Sequence, residues 1–180
     1  MVIDNLKNIS MNGRMAYSIL CVEKYLLSKY SGRDWRMLST KMWDVTNTPW
    51  DEWGERFMEV IPQYLFEFDN YEDSDFEFLS MEEYQQFKNL YSGITDGLCE
   101  DATDPVNFIL MGLYRLEEVY AYTSIPRIGE ESLRIVNQIV STVQNAGVEI
   151  PDIDIVAFSS FEQKSGWGDF FDGKHLSLIL

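Results

Sequence analysis

Eight carboxylates fall between positions 67 and 83, at Glu67, Asp69, Glu72, Asp73, Asp75, Glu77, Glu82 and Glu83, with no lysine or arginine among them. Groups of this type support three kinds of chemistry. They can ligate a divalent cation, work as an acid-base pair, or capture a positively charged surface. The stretch Asp69-Asn70-Tyr71-Glu72-Asp73-Ser74-Asp75 alternates oxygen ligands. It lacks the turn glycine and the closing acid of a calcium loop, so no metal is expected there. An all-carboxylate phosphoryl-transfer site, with or without a divalent metal, is the enzymatic alternative, and composition alone supports it. Phe68, Tyr71, Phe76, Phe78 and Leu79 interleave with the acids. A purely acidic run has nothing to bury and stays solvated, whereas aromatic residues give this one a surface to sit against. That surface is either a basic partner or the protein's own core. The partner-binding reading selects Glu67, Asp69, Tyr71, Glu72, Asp73, Asp75, Phe76, Glu77 and Phe78.

Other reactive side chains are scarce. His175 is the one histidine, and Cys21 and Cys99 are the two cysteines. Two unpatterned thiols give neither a disulfide framework nor a zinc site, and their apolar neighbours suggest buried thiols. Gly166-Trp167-Gly168 lacks the Lys-Ser/Thr of a phosphate loop, and its glycines suit a tryptophan turned back onto the core. Catalysis is therefore not expected, and neither is a cofactor. Among the tryptophans, Trp43 lies off its helical stripe and is the interface candidate.

The 180 residues carry 30 acidic and 14 basic side chains, a formal net charge of -16. Such a balance disfavours direct contact with nucleic acid or an anionic membrane, which need Lys and Arg, and favours fast capture of a basic protein. The hydrophobic fraction of 46% and aromatic fraction of 14% supply one core. No secretory signal is recognisable at the amino terminus and no run approaches the ~20 apolar residues of a membrane span, so a cytoplasmic monomer is expected.

The elements that must hold these groups read as mainly α, a single-domain bundle of about six helices. Its helical core runs over about 11–147, and a non-helical segment fills 148–180. The spacing predicts a first helix along Met15, Ile19, Leu20, Leu26 and Tyr30, interrupted only by the polar Glu23 and stopped at Ser31-Gly32. A second runs from Asp34 to Thr46. Thr48-Pro49 caps a third on Trp50, Trp53, Phe57 and Val60, and Pro62 ends it and opens a short turn. Ser80-Met81-Glu82-Glu83 is a capping box, Asp104-Pro105 starts the most apolar helix, and Gly147 stops the last one after Glu130–Ala146. Asp152–Phe158 and His175–Leu180 alternate as two short strands of a hairpin would, the other possibility being an extended tail laid over the helices.

Five segments together resemble a known group: Asn12-Gly13-Arg14-Met15-Ala16-Tyr17, Cys21-Val22-Glu23-Lys24-Tyr25, Trp50-Asp51-Glu52-Trp53, Ile61-Pro62-Gln63-Tyr64-Leu65 and Phe171-Asp172-Gly173-Lys174-His175-Leu176-Ser177. The pattern, from about Met11 to Leu180, resembles a mostly helical family of immunity proteins from bacterial polymorphic toxin systems. The resemblance implies a protein encoded beside a toxin, often a nuclease, that neutralises it by direct binding. It carries no fixed binding motif, so the partner-binding residues rest on the charge argument. An acidic adaptor with a different partner is the remaining alternative.

Overall fold

A computed structural model describes residues 2–180, and among them it is mainly α with no strand. The helices are α1 (Val2–Leu6), α2 (Met11–Lys29), α3 (Arg36–Trp43), α4 (Trp50–Met58), α5 (Pro62–Leu65), α6 (Met81–Tyr91), α7 (Pro105–Glu118) and α8 (Glu130–Asn145). Six of them have eight residues or more, as the hydrophobic periodicity predicts. Local signals set most boundaries. The Ser80 hydroxyl accepts from the Glu83 N–H while the Glu83 carboxylate accepts from the Ser80 N–H, so both halves of the capping box form. Asp104 accepts from the Asn107 N–H ahead of Pro105. At the end of α8, Gly147 takes a left-handed φ of 75°, and the Gly147→Gln144 and Val148→Val143 bonds close a Schellman motif. α4 begins one residue later than expected: Pro49 is its cap residue, and Thr48 makes no capping bond.

The bundle centres on α2, α7 and α8, which pack mutually, with α4 against α7. Val106, Ile109, Leu110, Leu113 and Leu116 of α7 are buried, as expected of the most apolar helix. Each such side chain contributes about 1.5–3 kcal/mol on burial.

The tail corrects the hairpin expectation. Residues 153–156, 163–166 and 174–176 form 3-10 turns, and the single backbone bridge pairs Ile9 with Ser160. Asp152 accepts from the Asp154 N–H and curls the first alternating stretch, and the bundle offers no sheet edge to extend. The tail is laid over the helices instead. Ser10 and Ser159 exchange a hydroxyl bond of 2.6 Å, the Asn12 N–H donates to the Trp167 carbonyl, and the Gly173 N–H donates to Thr46. Two further expectations fail. Trp43 is fully buried at 0% exposure, not an interface residue. Cys99 is exposed in the polar α6–α7 loop, beside Leu98 at 81% exposure, while Cys21 is buried as expected.

Four charged side chains are buried among the described residues, and three of them are hydrogen-bonded so as to organise the interior. Arg14 donates to the carbonyls of Leu6, Lys7 and Gly129 and to the Ser132 hydroxyl, with its guanidinium 4.9 Å from the Phe161 ring. Burial lowers its pKa to about 10, which leaves it charged at neutral pH. Glu23, read in the sequence as a flaw in the α2 stripe, accepts from Ser39, from the Trp43 indole at 2.9 Å, from Ser177 at 2.6 Å and from the Leu178 N–H at 2.7 Å. Glu59 accepts from the backbone N–H groups of Glu77, Phe78 and Leu79 at 2.7, 3.0 and 2.7 Å. Glu117 differs from the other two glutamates. Burial first, then Glu118, Asp51 and Glu55, push its carboxyl up to about 7.

Two substitutions test this contrast by urea denaturation. Glu23→Ala strands the donors of Ser39, Trp43 and Leu178, so it is expected to cost about 3 kcal/mol and to speed amide exchange at Leu178. Glu117→Gln is expected to act in the opposite sense. The folded carboxyl holds its proton more tightly than the unfolded one, so its contribution is intact below about pH 4.5 and lost as pH rises through about 7. The substitution is therefore expected to add about 1 kcal/mol at pH 8, where solvent screens part of the cost, and almost nothing at pH 4. A pH-independent effect would refute this account of Glu117.

Candidate functional site

The acidic segment is a structured loop, because three sets of bonds hold it. Tyr71–Asp73 forms a 3-10 turn, with Asn70 donating to Asp73 and the Ser74 hydroxyl donating to the Tyr71 carbonyl. Glu59, at the carboxyl end of α4, grips the N–H groups of residues 77–79. On the α6 side, the Tyr84 hydroxyl and the Lys88 ammonium donate to the Phe68 carbonyl at 3.0 and 2.9 Å. An aromatic knot completes the clamp. Tyr71, Phe76 and Tyr84 lie mutually 5.6–6.3 Å apart between centroids, and Phe68 meets Phe76 edge-on at 5.9 Å.

The knot divides the candidate residues. Tyr71 spends its hydroxyl on the Leu79 carbonyl at 2.8 Å and its ring on Phe76 and Tyr84, so it anchors the loop. Phe76 is half-buried in the same knot, its ring packed on Phe68, Tyr71 and Tyr84. Phe78 is the aromatic left to solvent, 42% exposed, with the Arg56 guanidinium 5.6 Å from its ring centre. Glu67, Asp69, Glu72, Asp73, Asp75 and Glu77 are all exposed, and none forms an ion pair with another described residue.

Glu67, Asp75, Phe76, Glu77 and Phe78 come together around a cleft of about 450 Å³. Asp69, Glu72 and Asp73 lie outside it on the 3-10 turn and its approach. The opposite wall was not found from the sequence. It consists of Glu55 and Met58 of α4, Glu59 at the end of that helix and Tyr64 of α5. The i, i+4 spacing of Glu55 and Glu59 was the available signal, hidden because the apolar stripe of α4 drew the reading to its other face. Burial, followed by Glu118 and Glu100, raises the Tyr64 phenol, so it serves the cleft as a neutral hydrogen-bonding group. Among the described residues, no group of three or more His, Cys, Asp or Glu side chains is placed to hold a metal ion. The arrangement can present several negative charges and one apolar edge to a cationic surface. No family model, curated protein or solved structure matches this chain. None of its described helices is long and apolar enough to cross a membrane.

The clamp predicts a selective effect. Glu59→Ala is expected to accelerate hydrogen exchange at the amides of Glu77, Phe78 and Leu79 by about 10-fold or more, while amides inside α2 and α7 keep their relative protection. Uniform acceleration across the chain would show that Glu59 supports the bundle and not the loop.

Proposed function

We propose that the protein is a non-catalytic inhibitor of the immunity type, which binds a basic surface of a cytotoxic enzyme, such as a nuclease, and occludes it. The observation that carries this reading is the set of six exposed loop carboxylates without internal ion pairs, held on a loop that is fixed before any partner arrives. A fixed loop loses less conformational freedom on docking, so more of the contact energy appears as affinity. Glu67, Asp75 and Glu77 meet lysine and arginine side chains of the partner, in place of phosphate groups, and Phe78 packs into its surface. The net charge of -16 steers the encounter, which suits an antidote that must reach its target quickly. The five-segment resemblance noted in the sequence points the same way.

The test uses the protein encoded beside this chain as the partner. The triple variant Glu67→Lys, Asp75→Lys, Glu77→Lys is expected to lose about 100-fold or more in affinity, with the association rate falling most. Its melting temperature is expected to stay close to wild type, since exposed carboxylates contribute little to folding. Added salt will reproduce part of the defect in the unmodified protein. Unchanged affinity in a folded triple variant would refute the loop as the interface.

A further inference from the structure

At the amino-terminal end of α4, away from the acidic loop, a second cleft of about 300 Å³ opens between Trp50, Trp167 and Tyr122, with Glu117 and Asp51 in its wall. Its parts are held from three directions. Trp50 and Trp167 meet edge-to-face at 5.2 Å between centroids. Trp167 turns into that position because Gly166 and Gly168 on either side take φ of 95° and 86°. A side chain at Gly166 would meet the Phe161 ring at 2.8 Å, and one at Gly168 would strike Ser10. Tyr122 is 91% exposed and sits at φ 60°, a left-handed conformation that L-residues adopt at a cost. An exposed aromatic ring on strained backbone has no folding role to explain it.

Glu117 is the second, independent observation. The residue is only 8% exposed, yet its carboxylate makes no hydrogen bond or ion pair with any described residue. Its carboxylate lies so close to α4 that a Cβ at Gly54 would meet Oε2 at 2.6 Å. The charged groups acting on it are Asp51 and Glu55 from α4 and Glu118 from its own helix, all acidic, and the phenols of Tyr114 and Tyr120 lie beside it without a charge at neutral pH. A site of this sign rejects anions, and Asp51 and Glu52 offset the positive end of α4. Indole and phenol faces attract cations through their quadrupole, most strongly where water is partly excluded.

We propose that this cleft receives one organic cation, the guanidinium or ammonium of a partner protein's side chain, with Trp50, Trp167 and Tyr122 as its walls and Glu117 as its counter-charge. The inference rests on this cleft alone and stands or falls independently of the acidic loop. Asp51 lines this cleft and Glu55 lines the other, so the two open along the same helix about 6 Å, one turn, apart. A basic surface can therefore place one side chain in each.

The experiment follows indole N–H signals by ¹H–¹⁵N NMR at about pH 8 and constant ionic strength. The probes are N-acetyl-arginine amide, N-acetyl-lysine amide, tetramethylammonium chloride and the neutral N-acetyl-glutamine amide. Trp50 and Trp167 are expected to shift saturably with the arginine or lysine probe and not with the glutamine probe, while the buried Trp35, Trp43 and Trp53 stay fixed. Glu117→Gln is expected to weaken binding by about fivefold. Lowering the wild-type sample to about pH 5.5 will give the same loss by protonating Glu117, which tests the counter-charge without any variant. No saturation up to about 100 mM of the amino-acid probes, equal response to the neutral probe, or affinity independent of both Glu117→Gln and pH would overturn the proposal. Binding of tetramethylammonium alone would overturn the side-chain assignment in favour of a small quaternary amine.

Discussion

A carboxylate enclosed in a helical bundle loses its water, and it must be given hydrogen-bond donors or held at a cost of several kcal/mol. Much of this fold follows from how that demand is met. Glu23 is answered by a serine and a tryptophan of α3 and by a hydroxyl and a backbone N–H of the tail. Glu59 is answered by three successive backbone N–H groups of the acidic loop. In both cases the chain being held has no ladder of its own. The carboxylate does for an irregular segment what a neighbouring strand does in a sheet, giving its backbone N–H groups the acceptor they would otherwise lack.

Glu117 has the same residue type and similar burial but no donors. The three glutamates thus differ in what surrounds them and not in residue type. Where donors converge, the charge organises the fold. Where they are missing and the neighbours are acids, the carboxyl holds its proton instead, as the raised pKa of Glu117 shows. Arg14 shows the complementary case, a cation satisfied by carbonyls at the end of α1 and the start of α8 and by the face of Phe161.

The helices were legible because their signals are local. A capping box at Ser80, Asp104 before Pro105 and Gly147 after α8 need only residues within one turn to be interpreted. The tail was not, because alternation in Asp152-Ile153-Asp154-Ile155 means a strand only where a sheet edge exists to receive it. Glu23 read as a defect for the same reason: its partners Ser177 and Leu178 lie more than 150 positions away. Of the acidic cleft, the loop wall was visible as a charge run, while the α4 wall was masked by the helix's stronger apolar stripe. Tyr71 illustrates the limit of composition, since nothing in its neighbours distinguishes a ring that anchors the loop from one that leaves it, as Phe78 does.

The long reach of the Glu23 contact also bears on the order in which the chain can be completed during synthesis. Helices α2 and α3 emerge from the ribosome early, with Ser39 and Trp43 available to Glu23 but its other two donors still to be translated. Until residues 177 and 178 arrive, one carboxylate oxygen must keep its water, and the α2–α3 corner cannot close around it. Completion of the Glu23 site is therefore tied to the docking of residues 177 and 178, and the α2–α3 corner reaches its full packing only with that segment in place.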